Sequence, residues 1–508
     1  MSAWTDAALC AALGLGSTAA GETIVYTTIG TDTRTLVHGS LFVALRGEVH
    51  DAHTFLAQAA SAGARGAVVD HIPEGAPANL RYIVVRDTTE ALGRLARFHR
   101  RRIGARVVAI TGSNGKTGTK ELVRAVLSSK YRVHATQGNL NNLIGVPLTL
   151  LAAPAGTELI AAELGTNVPG EIAQLSAIVE PDAAIITTIS AEHLEGLGDL
   201  DGVLREETAV VPWLPRSSPV VVSDEPAMLA ERAREQSNTV HVAGFSDRAD
   251  PIFRGFALSL DEEGRVRFRW AARDVALRLR GRHNGRNALL ALALGRLWDV
   301  DDRAAAEAIA RLESTRMRAE FHRIGDLVVI ADCYNANPGS VAAAVDLLMD
   351  VPRRGGRVAV VGTMRELGEQ SARLHAETAR RIADADIDLI VATGEFTEAF
   401  AEVEGLDARR IVLEADPDAA FEQMAERLSG TEVVLLKASR GVQLERLLPR
   451  ISERWAVPHP HGEAFGSRAS NPVTGERGDT PPAGHHSSTD PDPGRGGPLA
   501  FTNMVVRG

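Results

Sequence analysis

The chain has 508 residues, 44% of them apolar and 24% charged, with a formal net charge of −10. That length exceeds what one hydrophobic core organises, so about three globular domains are expected. The acidic balance argues against a nucleic-acid or anionic-membrane surface as the main partner. Cys10 and Cys333 are the only cysteines, so no disulfide framework is expected and a reducing cytoplasm fits. The apolar stretch 7–16 is too short to span a bilayer, and the first basic residue is Arg34. Neither membrane insertion nor a secretory leader is therefore expected.

Four of the 55 basic residues are lysines: Lys116, Lys120, Lys130 and Lys437. Codon bias toward arginine accounts for the ratio. In such a chain a lysine can still mark a place where the planar arginine fork does not serve.

Residues 1–103 read as mixed α/β, with short strands at 41–45, 66–69 and 83–85. A helix is expected over 87–102, where Leu92, Leu95, Ala96 and Phe98 share one face. A second unit, 104–311, alternates strands (107–110, 159–162, 183–189, 220–222) with helices such as 171–179, the pattern of a parallel sheet covered by helices. An Ala- and Leu-rich helix at 284–298 lies near its end. A third α/β unit, 312–455, carries strands at 327–331, 357–361, 389–392 and 433–436. In 456–508 about a third of the residues are Pro or Gly, too little apolar material to fold alone, so a disordered tail is expected. Its apolar end, 499–506, is a candidate short binding segment.

The strongest local signal runs from the strand at Val107 through Thr111, Gly112, Ser113, Asn114, Gly115, Lys116 and Thr117 into a helix over 116–127. A small-residue turn between a strand and a helix aims free backbone N–H groups and the positive helix end at phosphates. Lys116 is placed to reach the terminal phosphates and the Thr117 hydroxyl to hold Mg²⁺. The full Walker pattern is not met, because Ile110 stands where its first glycine belongs. Glu163 and His193 follow two further strands, where ligands of open parallel sheets lie. A carboxylate and an imidazole there can hold Mg²⁺ near the γ-phosphate. As a turn cap and an ordinary loop histidine they need no metal at all.

These three elements, in this order, resemble the central domain of the Mur ligase family, whose phosphate loop has the form TGxNGKT. Further segments over roughly 25–455 carry the resemblance. Residues 138–147 (GNLNNLIGVP) are similar to the family's substrate-facing loop, with Asn139 and Asn142. Residues 281–287 (GRHNGRN) are similar to the helix start whose asparagine, here Asn284, contacts adenine. Residues 317–320 (MRAE) bring Arg318 into the third domain. The segment 332–338 (DCYNANP), with Asp332, Asn335 and Asn337, has the form typical of the D-alanyl-D-alanine-adding branch. Residues 362–368 with His375, and Lys437 with Ser439 in KASR, are similar to the same branch. In the first domain Thr33, Arg34 and Arg46, within segments 32–34 and 42–47, and the segment 51–53 resemble UDP-sugar-binding parts.

The resemblance implies three domains: an N-terminal α/β UDP-binding domain, a central P-loop parallel-sheet ATPase domain and a C-terminal Rossmann-like domain. It implies ATP and Mg²⁺ as cofactors, and UDP-N-acetylmuramoyl-tripeptide and D-alanyl-D-alanine as substrates. A cytoplasmic monomer is expected. Thr111 to Thr117, Asn284, Arg318, Asp332 and Asn335 are assigned to the nucleotide. Thr33, Arg34, Arg46, Asn139, Asn142, Asn337, Lys437 and Ser439 are assigned to the other substrates. Thr117, Glu163, His193 and Glu207 are assigned to metal, and Lys116, His193 and Glu207 to catalysis.

Glu207 is on that list because of a departure. Most family members carry a carbamylated lysine shortly after the histidine, and no lysine lies between Lys130 and Lys437 here. The corresponding position is Glu207, expected to supply the carboxylate directly, through a bridging water or a small loop shift because glutamate is shorter. Glu206 is the alternative; adjacent helix residues point about 100° apart, so one of them serves. In the KASR segment Ala438 replaces the family's glycine, which narrows the backbone there. An inactive nucleotide-binding regulator, or another Mur or folylpolyglutamate-type ligase, are the competing functions.

Overall fold

The computed structural model describes residues 4–16, 24–47, 50–237, 239–314 and 317–456. The expected tail beyond Ala456, with its segment 499–506, lies outside the described residues. An N-terminal four-stranded parallel sheet is ordered Ile29–Gly30, Leu41–Val43, Gly66–Val69, Arg81–Val84. The helix Thr88–Ile103 packs its Ala91, Leu92 and Leu95 face into the core shared with Leu41, Val43 and Val68. Asp87 caps it by accepting from Thr89 N and Glu90 N, and Gly104 ends it in the left-handed conformation.

The central sheet has six parallel strands in the order Val240–Ala243, Val220–Ser223, Ala183–Ile186, Arg106–Thr111, Leu159–Glu163, Val133–Ala135. Arg106–Thr111 is therefore flanked by the strands that lead to Glu163 and to His193, and all three carboxyl ends open on one side. The strand expected over 183–189 stops at Ile186. Beyond it the chain bends onto the phosphate loop: Thr187 N donates to Thr111 O (3.0 Å), and Ser113 N donates to Thr188 O (2.8 Å).

The helix Arg282–Leu297 is buried from Asn287 to Gly295 without a break, as its Ala/Leu composition requires. One face meets the phosphate-loop helix Lys116–Ser128. Another meets a three-stranded antiparallel sheet, Phe256–Leu260, Arg265–Trp270 and Arg273–Arg280. In the middle strand Val266, Phe268 and Trp270 are buried while the arginines between them face outward. The third sheet is ordered Glu320–Ile324, Leu327–Asp332, Val433–Lys437, Arg357–Val361, Leu389–Ala392, Ile411–Leu413, with only its first pair antiparallel. No helix among the described residues is long and apolar enough to cross a membrane.

Candidate active site

The phosphate loop leaves Thr111 and enters its helix at Lys116. Gly112 has φ 114°, and a Cβ there would lie 2.7 Å from Thr187 N; Gly115 has φ 86°, and a Cβ would lie 2.8 Å from Asn287 Oδ1. Neither position accepts a side chain, so the loop's curvature depends on both glycines. Ser113 and Ser190 tie the loop to the neighbouring strand's exit: Ser113 Oγ donates to Ser190 O (3.1 Å) and accepts from Ser190 N (2.9 Å).

Lys116 is folded back over the loop. Its Nζ donates to Gly112 O at 2.6 Å and lies 3.6 Å from Glu192 Oε1 and 4.0 Å from Glu207 Oε1. Burial alone would lower its pKa, but Glu192, Glu207 and Glu163 together hold the ammonium above its ordinary value. One cation thus serves several buried carboxylates.

Glu163 ends its strand with 2% exposure. Its Oε1 accepts from the Thr117 hydroxyl (3.2 Å) and from Asn141 Nδ2 (3.1 Å), while its buried Oε2 has no hydrogen-bond partner. A buried carboxylate oxygen without a donor, beside the loop hydroxyl, suits a hard divalent cation. Thr117 and Glu163 therefore fit the Mg²⁺ that such chemistry requires. His193 sits in the left-handed region (φ 50°) directly before a short helix, Leu194–Leu197. Glu366 Oε2, from the third sheet's domain, lies 2.5 Å from His193 Nδ1. Burial would lower the imidazole pKa, yet the Glu366 carboxylate at Nδ1 and the charge of Glu192 raise it.

Glu207 reaches the phosphate loop itself. Its Oε2 accepts from Gly112 N (2.7 Å) and from the Thr111 hydroxyl, and the residue is 1% exposed. Glu206 faces elsewhere: Oε2 accepts from Gly170 N (2.7 Å) and Oε1 from Ile172 N (2.8 Å), closing the start of helix Glu171–Val179. The geometry therefore separates the two acids. It also changes what Glu207 touches: Glu163, His193 and Glu207 do not bring ligand atoms within 4.8 Å of one another. Glu207 is bonded to the loop backbone instead.

The third domain closes on this site. Asn337 and Asn114 pair reciprocally, Nδ2 to Oδ1 at 3.0 Å one way and 3.1 Å the other. Asn337 also caps helix Pro338–Asp350 through Ser340 N (2.8 Å). At 1% exposure its amide is engaged by Asn114 of the phosphate loop and by its own helix. Lys437 and Ser439 are likewise buried. Lys437 Nζ lies 2.9 Å from Asp332 Oδ2 and donates to Asn335 O (2.6 Å). Ser439 Oγ accepts from Arg365 N (2.9 Å). Both hold the loops that present Asp332 and Asn335. Ala438 is fully buried, 3.0 Å from where a Gly362 Cβ would stand, so its methyl fills a gap between two loops. Arg318 stacks over Tyr334 at 4.2 Å. His375 accepts from Met364 N (2.9 Å) and braces the loop that carries Glu366.

Asn284 approaches the phosphate-loop helix, its Oδ1 3.5 Å from where a Gly118 Cβ would stand, and donates to Arg280 O (2.7 Å). Asn139 is exposed, and Asn142 Oδ1 accepts from Gly145 N (2.8 Å) at the start of the next helix. Asn141, between them, is the one that reaches Glu163. In the N-terminal sheet Thr33 bonds Gln58 (3.0 Å), Arg34 pairs with Asp32 (2.7 Å) and Arg46 with Asp51 (3.0 Å). Sequence reasoning missed Asn141, Glu192 and Glu366. The signal for Glu192 was its place directly before His193, which puts it at the same strand exit.

Comparison with known proteins agrees with this arrangement. Family models match residues 25–100 (Mur ligase family, catalytic domain), 110–295 (Mur ligase middle domain) and 317–440 (Mur ligase, glutamate ligase domain). The UDP-N-acetylmuramoyl-tripeptide–D-alanyl-D-alanine ligase of Bacillus subtilis (strain 168) is 34% identical over 430 residues, 84% of this chain and 93% of the relative. That of Escherichia coli (strain K12) is 34% identical over 446 residues, 85% and 95%. A crystal structure of MurF from Acinetobacter baumannii superposes with a TM-score of 0.80 at 29% identity, covering 89% of this chain and 99% of that one. MurF ligase from Thermotoga maritima in complex with ADP gives 0.74 at 25% identity, covering 84% and 97%. With a phosphate loop, its facing carboxylates and a third domain closed over them in one chain, this protein belongs to the Mur ligase family.

Proposed function

We infer that this chain is an ATP-dependent ligase that joins D-alanyl-D-alanine to UDP-N-acetylmuramoyl-tripeptide, forming ADP and phosphate in peptidoglycan precursor synthesis. The observation that carries the reading is the 332–338 segment, typical of that branch, bonded through Asn337 to the phosphate loop. Relatives of that name match it over most of both chains.

The tripeptide's terminal carboxylate attacks the γ-phosphorus of ATP and ADP leaves, giving an acyl phosphate. The dipeptide amine then attacks the acyl carbon, the tetrahedral intermediate expels phosphate, and the amine's surplus proton is released. The protein contributes alignment and charge neutralisation. Lys116 exchanges its contacts with Gly112 O, Glu192 and Glu207 for the phosphates. Bound Mg²⁺ supplies neutralisation of the phosphate oxygens, and Thr117, Glu163 and His193 are the residues that would hold it. Glu207 fixes the loop's first N–H and supplies negative charge beside Lys116 with no carbamate. The loop and the third domain meet within one chain, which supports a monomer as the active unit. Mass analysis of the product tests the reading: a UDP-N-acetylmuramoyl-pentapeptide is expected, and transfer of a single amino acid in its place refutes it.

A further inference from the structure

The three-stranded antiparallel sheet of the central domain carries a feature that the ligase chemistry leaves unused. Beside the hairpin formed by Arg265–Trp270 and Arg273–Arg280 lies an open cavity of about 400 Å³, in the size range of small-molecule sites. Ile252 and Phe256, 60% and 52% exposed, form its apolar rim, and Arg254, Arg269 and Arg296 bring three guanidinium groups to it. None of its described lining residues is acidic. Arg254 stands 5.3 Å over the Phe256 ring and Arg296 4.4 Å over that of Trp270. The turn that completes the wall passes through Ala271 and Ala272 at φ 49° and 60°, the left-handed region where glycine or asparagine is the usual choice.

The polar groups of this wall are short of acceptors. Trp270 is 1% exposed and its indole N–H has no hydrogen-bond partner; the buried Nε–H of Arg254 has none either. Buried donors are nearly always paired, so two orphaned ones at a single cavity are completed by acceptors that enter with a ligand. The carboxylates that reach two of the arginines are weak rivals. Arg254 pairs with Asp247 (2.6 Å) and Arg269 with Asp274 (3.5 Å), and both acids are 92% exposed, where an ion pair contributes little. Arg296 is committed elsewhere: it donates to Asp302 Oδ1 (3.1 Å) and to Ile252 O (2.6 Å).

We propose that this cavity binds a small organic anion, an oxyanion head (carboxylate or phosphate) on an apolar or aromatic body. The head displaces Asp247 and Asp274 from Arg254 and Arg269 and supplies the missing acceptors, while the body lies against Ile252 and Phe256. The site is separate from the phosphate loop. Asn284, beside the phosphate-loop helix, and Arg296 stand toward opposite ends of helix Arg282–Leu297, about 18 Å apart at a rise of about 1.5 Å per residue. Its occupancy needs neither nucleotide nor peptide substrate, so it stands or falls independently of the ligase reading.

The test uses the full chain with phenyl phosphate and benzoate as probes, calorimetry for affinity and ¹⁵N-tryptophan NMR for place. The chain has five tryptophans, and W270F identifies the Trp270 indole resonance. At least one probe is expected to move that resonance saturably with a Kd of about 1 mM or tighter, and the tighter of the two identifies the head. Inorganic phosphate and benzyl alcohol, each with half of the chemistry, are expected to bind about tenfold more weakly or worse. R254Q is expected to weaken the tighter probe about tenfold, and R254K to fall between R254Q and wild type. R278Q, at an exposed arginine of the same sheet outside the cavity, is expected to leave it unchanged. ADP at a concentration that fills the phosphate loop is expected to alter neither the affinity nor the Trp270 shift. The proposal is overturned by the absence of a saturable shift, by unchanged binding in an R254Q that melts like wild type, by benzyl alcohol binding as tightly as the anions, or by displacement with ADP. Should R254Q fail to fold, R269Q carries the same expectation and the same refutation.

Discussion

Replacing Glu207 by Gln keeps the side chain's size and removes its charge. In the wild type one carboxylate oxygen accepts from Gly112 N at 2.7 Å and from the Thr111 hydroxyl, at 1% exposure. Hydrogen bonds to a charged acceptor contribute about 1.5–3 kcal/mol against about 0.5–1.5 kcal/mol for neutral pairs. With two donors the substitution loses about 2–3 kcal/mol of loop positioning, a 30- to 150-fold effect at about 1.4 kcal/mol per decade. The loss of a carboxylate 4.0 Å from Lys116 Nζ acts in the same direction where the loop must stay pre-shaped. We therefore expect Glu207→Gln to reduce kcat/KM for ATP by about 30- to 150-fold, measured as phosphate release with both co-substrates saturating. Wild-type rates are expected to be flat with bicarbonate, because no lysine stands at this position to be carbamylated. Full activity of Glu207→Gln, or wild-type rates that track bicarbonate, refutes the reasoning.

Gly115→Ala forces a methyl to within 2.8 Å of Asn287 Oδ1 at φ 86°, so ADP binding by calorimetry is expected to fall at least tenfold. Asn337→Ala removes the reciprocal pair with Asn114 and a helix cap of about 1 kcal/mol; about a tenfold loss in kcat/KM is expected, with melting lowered by about 2–4 °C. Lys437→Met leaves Asp332 without its 2.9 Å partner. Breaking such a pair costs about 3 kcal/mol, toward the low end because Asp332 keeps some solvent contact, read as a lower urea midpoint. Burial would raise the Glu180 carboxyl, but Arg101 and Arg97 hold it at about 2. Its folded pKa is depressed, so its stabilisation is present above the unfolded value and is lost as pH falls toward 2. Glu180→Gln is therefore expected to melt below wild type at pH 7 and to converge with it as the pH is lowered through that window.

The sequence made the phosphate loop legible because strand, turn and helix are contiguous there and each obeys a local rule. The strands 66–69, 357–361 and 389–392 were legible as short apolar runs, and the observed bounds coincide. The antiparallel sheet over 256–280 went unread, although Val266, Phe268 and Trp270 alternate with arginines. Edge strands of three residues, such as Val133–Ala135, carry too little periodicity to separate from loop. Asn337, Glu366 and Lys437 acquire their roles from contacts across more than 100 residues of chain or between domains, which no local spacing encodes. Glu192 shows the same limit: beside His193 it reads as one more polar loop residue until the fold buries it against Lys116.

The central claim is tested most directly by phosphate release from ATP in an omission series over the two co-substrates. The account predicts rapid release only when UDP-N-acetylmuramoyl-tripeptide and D-alanyl-D-alanine are both present, and its abolition in Lys116→Ala. Equal release with either co-substrate omitted, or none with both, would contradict it.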